Sequence, residues 1–351
     1  MNPSSAARLY VRTPNWLGDA VMSLPAIRAI RQIFAHAHLA VVARPGLADL
    51  YARESAVDRV IPYPAQKGQR SRRDFAERLR AERFDCAILL QNAFDAALMA
   101  WLAGVPERIG YRRDGRGRLL TRAIAVPESG EIPRHERFYY FELLRRAGLM
   151  EKFPPSEAIR LDRIGEARES GRQRLAALGA HGPVLGISPG AAYGNAKRWL
   201  PERFAETAAL LRPQAVLLFG AASERALCER VGASLSRAAN VRNLAGETTL
   251  GEFIEMAAAC DLFLTNDSGA MHIASALGVP TVTVFGATDD TTTGPTGPLG
   301  RVVREHAECS PCLLRECPID HRCMTGVTAE RVAGVARELL AGTEWTPEAR
   351  S

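Results

Sequence analysis

A carboxylate, a hydroxyl and a glycine stand together at Asp267-Ser268-Gly269, and His272 follows four residues after Ser268. Side chains four apart share one face of a helix, so His272 and Ser268 would face the same way. The apolar run Leu262-Phe263-Leu264 precedes this group. Met271, Ile273, Ala274 and Leu277 then recur at helical spacing up to the break at Gly278-Val279-Pro280. A second strand-like run, Thr281 to Phe285, ends in Gly286 and a loop rich in threonine and glycine that reaches Pro295. The pattern is strand, helix, strand, with polar residues where the strands end. A helix N-terminus at that edge favours an anion, so a phosphate-bearing ligand at Asp267 to Gly269 is the first expectation. A histidine on a half-apolar helix can equally be a packed residue.

The run from Ser188 to Trp199, SPGAAYGNAKRW, reads as a loop between a buried strand and a helix. Ser188, Gly190 and Ala191 are small enough for backbone N–H groups to approach an anion, and Lys197 adds a point charge suited to phosphate. The spacing is neither that of a Walker loop nor that of a GxGxxG dinucleotide fingerprint. Glu224, in Phe219-Gly220-Ala221-Ala222-Ser223-Glu224, falls at the end of another strand. There it can accept ribose hydroxyls, or it can sit in the first turn of the next helix, where the dipole favours it. Asp19, in the loop after the first strand, has the same two faces: a base for an attacking hydroxyl, or the N-cap of the helix that follows.

These residues need elements to carry them, and the chain supplies strand and helix in alternation. Leu9–Val11, Leu39–Ala43, Val57–Ile61, Cys86–Leu90, Arg108–Tyr111 and Ile124–Val126 read as strands, with helices at 21–34, 72–83, 92–103 and 136–147. Pro25 predicts a kink or a distinct first turn in the first helix. Alternation starts afresh after a junction between Phe153 and Gly182, with strands at 184–188, 215–219, 241–244, 261–265 and 281–285. The expectation is α/β, as two successive doubly wound parallel sheets facing a cleft, residues 1–160 and 180–327, with a final helix at 328–342 that packs back on the first domain.

Of the 351 residues, 47% are hydrophobic, 7% aromatic and 24% charged, an ordinary soluble composition. No stretch has the length of a signal peptide's apolar core or a transmembrane span, and seven cysteines do not read as a secreted disulfide framework, so a cytoplasmic protein is expected. The charge is uneven. Residues 1–150 hold 24 Lys+Arg against 15 Asp+Glu, whereas the remainder holds 21 against 24. A basic first half calls for an anionic partner: an acidic sugar, a phospholipid surface or a nucleic acid. Merely solvated arginines would give the same count.

Cys309, Cys312, Cys317 and Cys323 form C-x2-C-x4-C-x5-C near His306 and His321. The first pair has the spacing of a zinc knuckle and the second is looser. Structural zinc on four thiolates and four reduced thiols are both open, and neither is assigned a catalytic role.

Three blocks in order, Asn15–Pro25 (NWLGDAVMSLP), Ser188–Trp199 and Thr265–Pro295, resemble the signature blocks of the lipopolysaccharide heptosyltransferases of glycosyltransferase family 9. The forms PNWLGDAVMSLP, NDSGAMH and the later TGP are more similar to heptosyltransferase II than to heptosyltransferase I. The resemblance implies a GT-B architecture of two Rossmann-like domains, and inverting transfer of heptose from ADP-heptose to the heptosyl-Kdo2-lipid A inner core, with no metal required at the diphosphate. It further implies Asp19 as general base, Lys197 neutralising the departing ADP, and Glu224 contacting the nucleoside. Ser188, Gly190, Ala191, Asp267, Ser268, Gly269 and His272 would hold the rest of the donor. Asn15, Arg72, Arg73, Arg112 and Arg113 are the corresponding candidates for the anionic acceptor, within the clusters Arg70–Arg73 and Arg112–Arg118. The basic first half would face Kdo carboxylates, lipid A phosphates and an anionic inner leaflet rather than nucleic acid. The competing readings are a related transferase with another donor, a nucleotide-sugar epimerase, and a non-catalytic nucleotide-binding module. A dehydrogenase is disfavoured by the missing dinucleotide fingerprint.

Overall fold

The computed structural model describes residues 7–64, 68–155, 158–235, 240–341 and 345; position 342 of the expected last helix lies outside them. The chain divides into two compact units, Met1–Glu157 and Ala158–Ser351.

The first unit runs β1 (Arg8–Arg12), α1 (Leu17–Ile33), β2 (His38–Ala43), α2 (Ala48–Ala52), β3 (Arg59–Pro62), α3 (Gln69–Ala81), β4 (Cys86–Leu89), α4 (Phe94–Leu102), β5 (Glu107–Tyr111), β6 (Arg122–Ile124) and α5 (Arg137–Arg146). The six strands form one sheet in the order β3-β2-β1-β4-β5-β6, and every neighbouring pair is parallel. Strands buried on both faces need no alternation, which is why LYV, LAVVA and CAIL read as apolar runs. One face of the sheet is covered by Phe75, Leu79, Ala97, Met99 and Ala100 of α3 and α4. Leu24, Ile27 and Ile30 of α1 are fully buried, and α1 packs along α5. Pro25 lies inside a helix that continues through it, so the kink or separate turn expected there does not divide the element.

The second unit repeats the topology. Its elements are α6 (Ile164–Ala177), β7 (Val184–Ser188), α7 (Pro201–Leu211), β8 (Ala215–Leu218), α8 (Arg225–Ala233), β9 (Asn240–Asn243), α9 (Leu250–Ala258), β10 (Leu262–Asn266), α10 (Gly269–Ala276), β11 (Thr281–Phe285), α11 (Asp290–Thr293), β12 (Gly300–Arg304), α12 (Arg322–Thr325) and α13 (Ala329–Leu340). The order is β12-β11-β10-β7-β8-β9, again wholly parallel. Read from each unit's own first strand, both sheets are 3-2-1-4-5-6, the order of a dinucleotide-type doubly wound fold. In such a sheet the strand order reverses beside the first strand, at β1/β4 and at β7/β10, and ligands collect outside the carboxyl ends there.

Two elements differ from the sequence reading. The last helix gives its apolar stripe, Val332, Ala333, Ala336, Leu339 and Leu340, to the core of the second unit, against α7, β11 and β12. Its stripe recurs at i, i+3, i+4 and i+7, a single buried face, and that face is occupied in the second unit. The junction falls within 153–182, but α6, which the domain bounds left unassigned, belongs to the second unit and packs on α9. Gly171 makes that packing close: a Cβ there would sit 1.9 Å from the Glu255 carbonyl oxygen.

Candidate functional site

In the second unit the switch point lies between the ends of β7 and β10, paired as Thr265 to Ser188. Asn266, wholly buried at the end of β10, ties the two strand ends together. Its Nδ2 donates to the Pro189 carbonyl at 2.7 Å and its Oδ1 accepts from the Trp199 N–H at 2.9 Å. Both ends of the Ser188–Trp199 loop are thus held by one side chain. The Trp199 indole, 1% exposed, donates in turn to the Val327 carbonyl at 3.0 Å.

That frame presents Lys197 to Asp267. Lys197 Nζ stands 2.6 Å from Asp267 Oδ2, and the same oxygen accepts from Thr288 Oγ1 at 2.6 Å. Asp267 is 5% exposed. A buried carboxylate this close to an ammonium holds it in place, so Asp267 anchors Lys197. The Lys197 ammonium also lies 4.9 Å from the centre of the Tyr193 ring, within cation–π range.

Ser268 is the N-cap residue of α10 in extended backbone geometry, and its hydroxyl pairs with Thr265 Oγ1 at 3.1 Å instead of capping the helix. The first-turn amides of α10, beginning at Gly269, are therefore not taken by the cap side chain, and helix geometry gives them no intrahelical acceptor. His272 is buried within α10, one turn along. Ser188 and Ala191, in the first part of the loop, are buried. Gly190 approaches Glu224 closely: a Cβ would lie 2.0 Å from Glu224 Oε1, so that side chain would have to move. Glu224 accepts from the Ala221 N–H at 2.9 Å, as a first-turn carboxylate does, while its other oxygen stands 3.9 Å from the Arg198 guanidinium. Glu224 thus stands just beyond the end of β8, beside Gly190.

At the corresponding edge of the first unit, Arg12 ends β1 and is 4% exposed. It donates to Asn15 Oδ1 at 2.8 Å and lies 4.4 Å over the Tyr63 ring. Burial, opposed by neighbouring Tyr51 and Tyr10, pulls its pKa down to about 10. Asn15 therefore shapes the loop leading to α1. Trp16, not Asp19, is the N-cap of α1; Asp19 sits inside the first turn. Its charge is felt by Glu136 on the residue before α5. Burial first, and the Asp19 charge second, push the Glu136 carboxyl up to about 7.

The arginine clusters separate into different kinds. Arg72 pairs with Asp95 at 2.8 Å and Arg73 with Glu77 at 3.2 Å, so both already have a carboxylate. Arg113 approaches Asp114 at 3.8 Å. Arg112 spreads its side chain over Gly117. Arg116, grouped with them in the sequence, is fully buried and binds the Tyr111 carbonyl at 2.8 Å and Asn92 Oδ1 at 3.0 Å, joining the ends of β5 and β4. It is internal scaffolding.

Among the described residues no three His, Cys, Asp or Glu side chains are arranged to hold a metal ion. The four cysteines of the C-x2-C-x4-C-x5-C run are free thiols, Cys309 exposed and Cys323 buried. Burial and the neighbouring Cys309, Cys312 and Cys317 raise the Cys323 thiol. Among the described residues no helix is long and apolar enough to cross a membrane.

Sequence reasoning did not name Asn266, Thr288 or Tyr193 as site residues. Asn266 and Thr288 lay within the block singled out, and Tyr193 within the loop, but their roles depend on partners far away in the chain.

Two doubly wound units, the second with a loop lysine and a helix N-terminus at its switch point, define a glycosyltransferase of GT-B architecture. The sequence matches the Glycosyltransferase family 9 (heptosyltransferase) profile over residues 72–322, and the chain belongs to that family. It is 33% identical over 307 residues to lipopolysaccharide heptosyltransferase 2 of Escherichia coli (strain K12), covering 85% of this chain and 88% of that protein. It is 27% identical to lipooligosaccharide heptosyltransferase 2 of Campylobacter jejuni (strain 81116), covering 95% of this chain and 99% of the relative. The solved structure of E. coli ADP-heptose lps heptosyltransferase II superposes with a TM-score of 0.82 at 31% identity, over 96% of this chain and 99% of that one.

Proposed function

We propose that this chain transfers heptose from ADP-heptose to a heptosylated Kdo2-lipid A inner core, the second heptose addition of lipopolysaccharide assembly. The observation that carries the donor assignment is the Lys197–Asp267–Thr288 cluster beside the first turn of α10, in a chain a third identical to a lipopolysaccharide heptosyltransferase 2. As the glycosidic bond to the diphosphate breaks, negative charge grows on the β-phosphate while the anomeric carbon becomes oxocarbenium-like. The Lys197 ammonium and the α10 amides are fixed donors that match that growing charge without reorganising. Glu224, beside Gly190, accepts from the ribose hydroxyls, and Gly190 leaves it room to do so.

Asp19 takes the proton of the acceptor hydroxyl as it attacks, which requires an ionised carboxylate at working pH. Attack on the face opposite the leaving diphosphate inverts the anomeric centre. The excess positive charge of the first half complements an acceptor bearing carboxylates and phosphates, and draws the chain to the anionic cytoplasmic leaflet where such an acceptor is held. The test is incubation with ADP-heptose and Kdo2-lipid A, with and without its first heptose. Extension only of the heptosylated acceptor supports the reading; extension only of the bare one assigns the first transfer instead, and no product with either removes it.

A further inference from the structure

Between β12 and α12 the chain has no regular structure over 305–320, yet its path is held by hydrogen bonds on both sides. On one side it is fixed to the end of β11, where the Leu313 N–H donates to the Ala287 carbonyl at 2.8 Å and Ser310 Oγ to the Gly286 carbonyl at 2.6 Å. On the other it is stitched to the lysine loop. Tyr193 donates its hydroxyl to the Leu313 carbonyl at 2.8 Å, the Ala196 N–H donates to the Arg315 carbonyl at 3.1 Å, and the Cys317 N–H donates to Asn195 Oδ1 at 3.3 Å. His321, next along, places Nε2 3.1 Å from the Ala196 carbonyl. The approach is so close that a Cβ on Gly194 would fall 2.1 Å from the Arg315 carbonyl oxygen. This strap holds the segment that carries Lys197.

It carries an exposed cation. Arg315 places its guanidinium 5.2 Å from the centre of the Tyr193 ring, the same ring that Lys197 approaches to 4.9 Å. The two cations differ in one respect. Lys197 is neutralised by Asp267, whereas among the described residues no carboxylate lies within ion-pair distance of Arg315. An aromatic ring attracts each cation by about 0.5–1 kcal/mol at an exposed site, too little to offset bringing two like charges to one ring. An anion arriving beside the ring would reverse that balance, and a guanidinium fork matches phosphate oxygens in two-point geometry.

We infer that Arg315 is a second cation for the diphosphate of the nucleotide donor, and that Tyr193 is the positioning residue that holds it beside Lys197. The inference rests on the donor reading above and adds to it a ligand drawn from outside the three sequence blocks. Its charge matters more as the bond breaks, since the departing diphosphate carries one negative charge more than it did in the sugar nucleotide.

The test is titration of the full-length protein with ADP and with adenosine, for wild type, Arg315→Ala, Arg315→Lys, Tyr193→Phe and Tyr193→Ala, with thermal unfolding of each. Arg315→Ala is expected to weaken ADP about 10-fold or more while leaving adenosine unchanged, the loss of a charge-assisted hydrogen bond. Arg315→Lys is expected to recover part of the loss. Tyr193→Phe keeps the ring and is expected to stay near wild type, whereas Tyr193→Ala is expected to resemble Arg315→Ala. Equal ADP affinity in wild type and Arg315→Ala overturns the inference and leaves the donor reading standing. An equal loss for ADP and adenosine also overturns it, because the strap would then be acting on fold rather than charge. A wild-type protein that binds no ADP overturns the donor reading itself.

Discussion

Lys197 Nζ and Asp267 Oδ2 stand 2.6 Å apart, 70 positions from one another in sequence, with the carboxylate 5% exposed. The pair fixes the position of the Lys197 ammonium at the switch point of the second sheet. Its geometry comes from Asn266, which fastens both ends of the lysine loop to β10.

Removing either partner has separable consequences. Lys197→Ala is expected to weaken ADP binding by roughly 10- to 100-fold, the scale of a hydrogen bond to a charged group. It also leaves Asp267 buried with only Thr288, so unfolding stability is expected to fall by about 3 kcal/mol. Asp267→Asn is expected to recover much of that stability in the Lys197→Ala background while restoring no ADP affinity. Denaturant titration of the two single variants and the double variant measures the coupling, and additive losses would show that the pair does not act as a unit.

Gly190→Ala tests Glu224 without touching it. The added Cβ would meet Glu224 Oε1 at 2.0 Å, so the carboxylate must swing away while the backbone stays. Moving a flexible side-chain end is expected to cost stability only about 0.5 kcal/mol. ADP affinity is expected to fall about 10-fold if Glu224 holds the ribose, with AMP and adenosine weakened in parallel, as for a contact to the nucleoside rather than the diphosphate. Unchanged affinity for all three would detach Glu224 from the nucleoside.

Much of this architecture was legible because the strands are buried on both faces and read as apolar runs. Helices α7, α9 and α13 carry apolar stripes at helical spacing. Where the reading failed, the signal was physically thin. Helix α6 buries only Ala167, Gly171 and Leu175, so it has no apolar stripe to see, and its contact is made by the absence of a side chain at Gly171. Strand β12 is an edge strand in which Val303 alone is buried. Lys197, Asp267 and Glu224 could be picked out by type and position, but Asp267's engagement with Lys197 could not, because a contact across 70 positions leaves no local trace. Arg116 shows the converse error: grouped with exposed arginines by sequence, it is fully buried.

Glu136 gives the first unit a pH signature. Its carboxyl, ordinarily near 4.5, is pushed to about 7 by burial and then by Asp19, so between those values the folded chain keeps a proton that the unfolded chain has released. The contribution of the neutral carboxyl to stability is fully present below about pH 4.5 and is lost as pH rises through about 7. Glu136→Gln is expected to remove that slope, gaining roughly 2–3 kcal/mol relative to wild type at pH 8 and little at pH 4. Denaturant melts across that range measure it, and parallel curves for the two proteins would contradict the assignment.

In the proposed reaction a heptosyl residue passes from ADP-heptose to the inner core with Asp19 as the base. The most direct measurement is product formation on heptosylated Kdo2-lipid A by wild type and Asp19→Asn, beside ADP-heptose affinity of both. Wild type is expected to extend the acceptor. Asp19→Asn is expected to lose on the order of 10²–10⁴ in rate with donor affinity nearly unchanged. Wild-type turnover in the variant, or no extension by wild type, would contradict it.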